Sequence, residues 1–106
     1  MVDQDSKRQF YKGTKQNIFR IFKVLKSSSE SGEDFVTVSQ IAKRSGLHKW
    51  TVSRVLDIHM QPFVEIIQPE ELEAVGLQIK MVKLRRPDTT IEQLLKYLKL
   101  RESLVP

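Results

Sequence analysis

The chain contains no cysteine. A disulfide framework and a thiolate metal site are therefore excluded, and redox chemistry of the chain itself with them. Histidine is scarce: His48 and His59 are the only two. They stand eleven residues apart without carboxylates at ligand spacing, so no metal site is expected. There is no glycine-rich phosphate loop, no GxGxxG, no nucleophile elbow and no spaced acid pair, and no enzymatic activity or cofactor is expected. No apolar run approaches the roughly 18 residues that cross a bilayer. The first ten residues, MVDQDSKRQF, are polar and charged, and a soluble intracellular protein is the expectation. What the sequence does have is charge: 29% of its 106 residues are charged, with a formal excess of +5 and a pI near 9.6. This size allows one globular domain, and the basic balance favours an anionic partner without identifying it.

Hydrophobic spacing divides the chain into elements. Residues 1–13 are polar apart from Val2, Phe10 and Tyr11; they fit a frayed tail and a short extra helix equally. From Thr14, Ile18, Ile21, Phe22 and Leu25 follow the i, i+3, i+4, i+7 spacing of one helix face. Ser27 to Asp34 has the composition of a surface loop. Phe35 to Val38 suits a very short strand, after which Thr37 and Gln40 have capping-box spacing and predict a helix from about Val38. That helix buries Val38, Ile41 and Ala42, and Gly46 suits the left-handed residue that ends it. A further helix is expected from His48 or Lys49 to Met60, with Val52, Val55 and Leu56 inward and Pro62 beyond its end. Residues 63–67 and 77–85 read as an antiparallel hairpin. Its loop carries Glu70, Glu71 and Glu73, and Pro69 could begin a short helix there. Beyond Pro87, Thr89 and Glu92 again have capping-box spacing, with Ile91, Leu94, Leu95 and Leu98 as the helical stripe that follows. An α+β fold results.

The segment from Thr37 to Asp57, TVSQIAKRSGLHKWTVSRVLD, places small Ala42 where two helices approach and Gly46 at the turn. Ile41, Leu47, Val52 and Val55 fill the apolar positions. This pattern resembles the helix-turn-helix of the winged-helix DNA-binding family, and the order of elements over Ile18 to Arg85, about two thirds of the chain, resembles that fold as a whole. The resemblance implies a winged helix-turn-helix domain over 14–86 and a C-terminal helix over 87–106. It also implies a small prokaryotic-type transcription regulator, cytoplasmic and nucleoid-associated, that binds double-stranded DNA.

With Val52, Val55 and Leu56 inward, the expected base-reading residues are Trp50, Ser53 and Arg54, since an arginine can bond a guanine edge bidentately. Lys43, Arg44, His48, Lys49 and Thr51 are the expected phosphate contacts. Two of these have a second reading: Trp50 as cover for the core edge, and His48 as a mere helix cap. The departure from the family pattern is the acidic loop, whose three carboxylates are repelled by phosphates. Backbone contacts must then come from elsewhere, with Lys80, Lys83, Arg85, Arg86 and the Lys7, Arg8, Lys12 and Lys15 group available. The last helix offers a second apolar strip, Tyr97, Leu100 and Leu104. Either it pairs two copies into a homodimer, presenting two reading helices about 34 Å apart, or it folds back on Phe10, Phe19 or Val24. A protein-interaction module and a weakly specific architectural DNA-binding protein are the alternative functions.

Overall fold

The computed structural model describes the backbone of residues 2–104 and the side chains of residues 13–101. The expectations placed on Phe10, Tyr11, Lys7, Arg8, Lys12 and the Leu104 side chain lie outside the described residues. Helix α1 spans Val2–Glu30 and buries Ile18, Ile21, Phe22 and Leu25, the four residues whose spacing marks its apolar face. Residues 2–13 belong to this helix.

The Ser-rich stretch expected to be a loop instead continues α1 to Glu30. Ser28, one turn beyond Leu25, is buried, and its Oγ accepts a hydrogen bond from Arg44 Nη1 at 3.0 Å. A serine supplied with a tertiary donor no longer competes with the helical backbone, so composition alone misjudged it. The helix closes on Gly32, at φ 87°. Gly32 N–H donates to the Ser29 carbonyl and Glu33 N–H to the Ser28 carbonyl, the paired bonds that end a helix on a left-handed residue.

Strand β1 (Val36–Thr37) leads directly into α2 (Val38–Ser45), which is followed by α3 (Lys49–His59). Strand β2 (Val64–Ile67), the single-turn helix α4 (Glu70–Glu73) and strand β3 (Met81–Leu84) form the hairpin and its tip. Helix α5 (Ile91–Leu104) comes last. The described residues thus make an α+β fold of five helices and one antiparallel sheet, ordered β1-β3-β2. In register, Val64 faces Leu84 and Ile67 faces Met81, while Val36 faces Val82. Val36, Val64, Val82 and Leu84 are buried, meeting Ile21, Ile41, Val52, Leu56 and Met60 in one core. Each such apolar side chain contributes about 1.5–3 kcal/mol on leaving water.

The second strand is shorter than the expected 77–85. Leu77 N–H is taken by the Leu72 carbonyl at 2.8 Å as α4 closes, and the Lys80 carbonyl by Val38 N–H at 3.1 Å. Those bonds hold 77–80 to α4 and α2 instead of to β2. The cap of α5 also lies one residue later than expected: Thr90 and Gln93 exchange the reciprocal bonds, at 3.2 and 3.0 Å. Thr89 is buried, with its hydroxyl committed to the Arg86 carbonyl at 2.7 Å.

Both ends of α5 are tied down. Lys26 Nζ donates to the Pro87 and Thr89 carbonyls at 2.6 and 3.0 Å, and Arg101 Nη1 donates to the Ile58 carbonyl at 2.8 Å. Leu94 and Leu98 enter the core, whereas Ile91 is exposed. Among the described residues, no helix is long and apolar enough to cross a membrane.

Candidate nucleic-acid interface

Helix α3 is aimed by what precedes it. Thr37 caps α2: its Oγ1 accepts from Gln40 N–H, and Gln40 Oε1 accepts from Thr37 N–H, so two of the spare amides at the helix start are satisfied. At the other end Gly46 adopts φ 75°, and the Gly46 and Leu47 amides both reach the Ala42 carbonyl at 3.0 and 3.1 Å. The chain reverses there and α3 begins two residues after Leu47. His48 is its N-cap residue, but the side chain makes no capping hydrogen bond, so a mere capping role does not describe it.

The inner face of α3 is Val52, Val55 and Leu56, each buried. The outer face holds Lys49, Trp50 and Arg54, all exposed. Trp50 is 69% exposed; a tryptophan covering the core edge would have lost most of its surface, and that reading does not fit. The Arg54 guanidinium carbon lies 5.3 Å from the centre of the Trp50 ring, a cation–π contact between residues one turn apart. Ser53 and Thr51 are half-buried. Ser53 Oγ accepts from Lys80 Nζ at 3.2 Å, and the same ammonium sits 3.7 Å from Asp57 Oδ2.

Lys80 is the member of this group that sequence reasoning named without placing. It continues the Val82, Leu84 alternation one step past the strand, on the sheet face that meets α3, and this period of two was the available signal. Two of the other cations offered with it have different partners. Lys83 Nζ lies 3.7 Å from Glu65 Oε2 and 5.0 Å from the Phe35 ring centre, while Arg85 Nε donates to the Val64 carbonyl. A depression between the start of α2, α3 and the hairpin is lined by Ser39, Lys49, Trp50, Ser53, Gln78 and Lys80, with a volume of about 400 Å³. Donors dominate it.

Of the expected phosphate contacts, Lys43, His48 and Lys49 are exposed. Arg44 is not brought to α3. Its Nη1 is held by Ser28 Oγ and by the Glu33 carboxylate at 3.2 Å, at the far end of α1. Glu70, Glu71 and Glu73 are exposed on α4, the short helix that Pro69 was expected to start. At the last residue of α3, His59 Nδ1 lies 3.1 Å from Arg101 Nη1. Burial, with the nearby Arg101 and Arg54 charges, holds the imidazole below its usual pKa. A guanidinium only donates, so Nδ1 is the acceptor of this pair.

The strip of Tyr97, Leu100 and Leu104 is divided. The Tyr97 ring packs edge-on against Phe63, centres 5.2 Å apart. It is thus satisfied within the chain, by a partner that was not among those expected. Leu100 is 63% exposed. No protein-family model, curated protein or solved structure matches the chain.

Proposed function

We propose that this chain is a winged helix-turn-helix protein that binds double-stranded DNA through α3 and regulates transcription. The observation that carries this reading is the uncovered outer face of α3, where Lys49, Trp50 and Arg54 stand exposed on a helix whose opposite face is buried. The element order and the β1-β3-β2 sheet support the winged-helix assignment, with α4 as the tip of the wing. A helix of this kind fits the major groove, where Arg54 bonds a guanine edge and Trp50 meets a thymine methyl or a sugar. Stacking on Trp50 restricts Arg54 before it binds, which lowers the entropy lost on contact. Ser53 shares its hydroxyl between Lys80 and a base or phosphate.

Lys43, His48, Lys49 and Thr51 take phosphates, while Arg44 is left out by its pairing with Glu33. Lys80 supplies the cation that the acidic wing lacks. The protein acts inside the cell as a homodimer, joined through Leu100 and the end of α5. The strip available for that contact is narrower now that Tyr97 is engaged by Phe63.

Selection from a random duplex pool at physiological salt tests the proposal. A consensus is expected, with Arg54→Ala costing about 1–3 kcal/mol at one base position and Lys49→Ala weakening all sequences alike. An Arg54→Ala variant with unchanged affinity and preference would remove α3 from the interface. One observation favours a second reading, a protein-interaction module: Glu70, Glu71 and Glu73 lie beside exposed Val75 and Leu77. A stoichiometric protein partner together with no duplex binding at low salt would select it.

A further inference from the structure

The serine-rich end of α1 has no part in the proposed DNA contact. It borders a cleft between α1 and α2 with a volume of about 400 Å³, lined by Arg20, Lys23, Ser27, Ser28, Glu33 and Arg44, among others. Three cations face one carboxylate there, so the cleft carries net positive charge even with Glu33 paired. Most surface cations are merely solvated, but Arg44 differs from them. Buried Ser28 and exposed Glu33 hold its guanidinium through Nη1 alone. Nε and Nη2 have no hydrogen-bond partner among the described residues. Arginine presents its donors as a rigid fork matched to two oxygens of one anion. Arg20, Lys23 and Ser27 are exposed on α1 along the same cleft.

We infer that this cleft is a binding site for a small oxyanion, the phosphate or carboxylate group of a small molecule, gripped by Arg44 and neutralised by Arg20 and Lys23. Phosphate and carboxylate share the two-oxygen edge that the fork recognises, and the volume falls within the range of small-ligand sites. The Ser27 hydroxyl adds a donor. The site is independent of the DNA reading, because none of its lining residues belongs to α3.

The full chain is titrated with sodium phosphate and separately with sodium acetate, at ionic strength held constant with chloride, while amide resonances are followed. Saturable shifts are expected around residues 20–33 and Arg44. Saturation by phosphate alone assigns a phosphate-bearing ligand, and saturation by both assigns any group with a two-oxygen edge. Arg20→Gln combined with Lys23→Gln is expected to lower the affinity by about tenfold or more, since two charge-assisted contacts are lost. Both positions are exposed, so the variant keeps its fold. Ser27→Asp, which sets a carboxylate in the cleft and leaves every cation in place, is expected to weaken binding as well. Three results would overturn the site: shifts that never saturate with either anion, unchanged affinity in both variants, or loss of binding in Lys49→Ala/Arg54→Ala instead.

Discussion

Gly46→Ala tests how the turn aims α3. Gly46 has φ 75° and ψ 18°, where a side chain crowds its own backbone at a cost of about 1–2 kcal/mol. An added Cβ would meet no heavy atom within 4 Å, so no packing penalty joins this cost. Alanine also restricts the unfolded chain, which returns about 0.4–1 kcal/mol. The net loss is therefore about 1 kcal/mol, and about 4–8 °C in Tm for a domain of this size. Urea unfolding followed by circular dichroism should show a lower midpoint with an unchanged slope. Gly46→Asn should lose less, because asparagine tolerates the left-handed region. Gly13 supplies the control. It lies within α1, is absent from the positive-φ glycines, and is equally open to an added Cβ. There the same methyl should stabilise by about 0.5–1 kcal/mol. A Gly46→Ala variant as stable as the parent would refute the conformational argument, and a loss beyond about 3 kcal/mol would mean a clash that the open space rules out.

The pH dependence of stability should follow His59. Its folded pKa is depressed below 6.5, so the unfolded state takes up the proton first as pH falls. Stability is complete above 6.5 and declines from there toward the folded value; His59→Gln should flatten that part of the urea-midpoint profile, and an unaltered profile would assign it to other groups. Leu94→Ala, at a fully buried position, should cost about 2–5 kcal/mol. Leu100→Ala should leave the single chain within about 0.5 kcal/mol while shifting the sedimentation mass toward one chain. A parent protein already at the mass of one chain at micromolar concentration would end the dimer proposal. Asp57→Asn removes a carboxylate beside the reading face and releases Lys80, so duplex affinity should rise by roughly 1 kcal/mol at low salt; no gain would argue against Lys80 as a phosphate contact.

What the sequence made legible was local. Thr37 with Gln40, Gly46 as the helix end and Pro69 as a helix start each act through backbone groups a few residues away, and each was found where expected. Helix α3 was read almost to its bounds because a period of 3.6 and two flanking breakers agreed. The misplaced features depend on distant partners. Ser28 is helical because Arg44, sixteen residues on, satisfies it. Thr89 is the local exception: its hydroxyl bonds the Arg86 carbonyl three residues back, and the cap of α5 falls to Thr90. Helical spacing puts Tyr97 on an outer strip, since nothing near it in sequence indicates Phe63. In the candidate site, Trp50 and Arg54 were legible from the inward positions of α3. The diversion of Arg44 to Glu33 and the arrival of Lys80 at Ser53 were contacts across the fold that helical periodicity does not encode.

The sheet order has a consequence for how this protein behaves when concentrated. With β3 in the middle, the two outer strands are β1 and β2. The first is two residues long and turns at once into α2; the second is four residues long, lies between Pro62 and Pro69, and carries Glu65. An incoming strand from another molecule would find too few consecutive amides and carbonyls on either border to build a stable ladder. The chain thus keeps its β-structure closed to edge-to-edge growth, and fibrillar aggregation would require the sheet to open first.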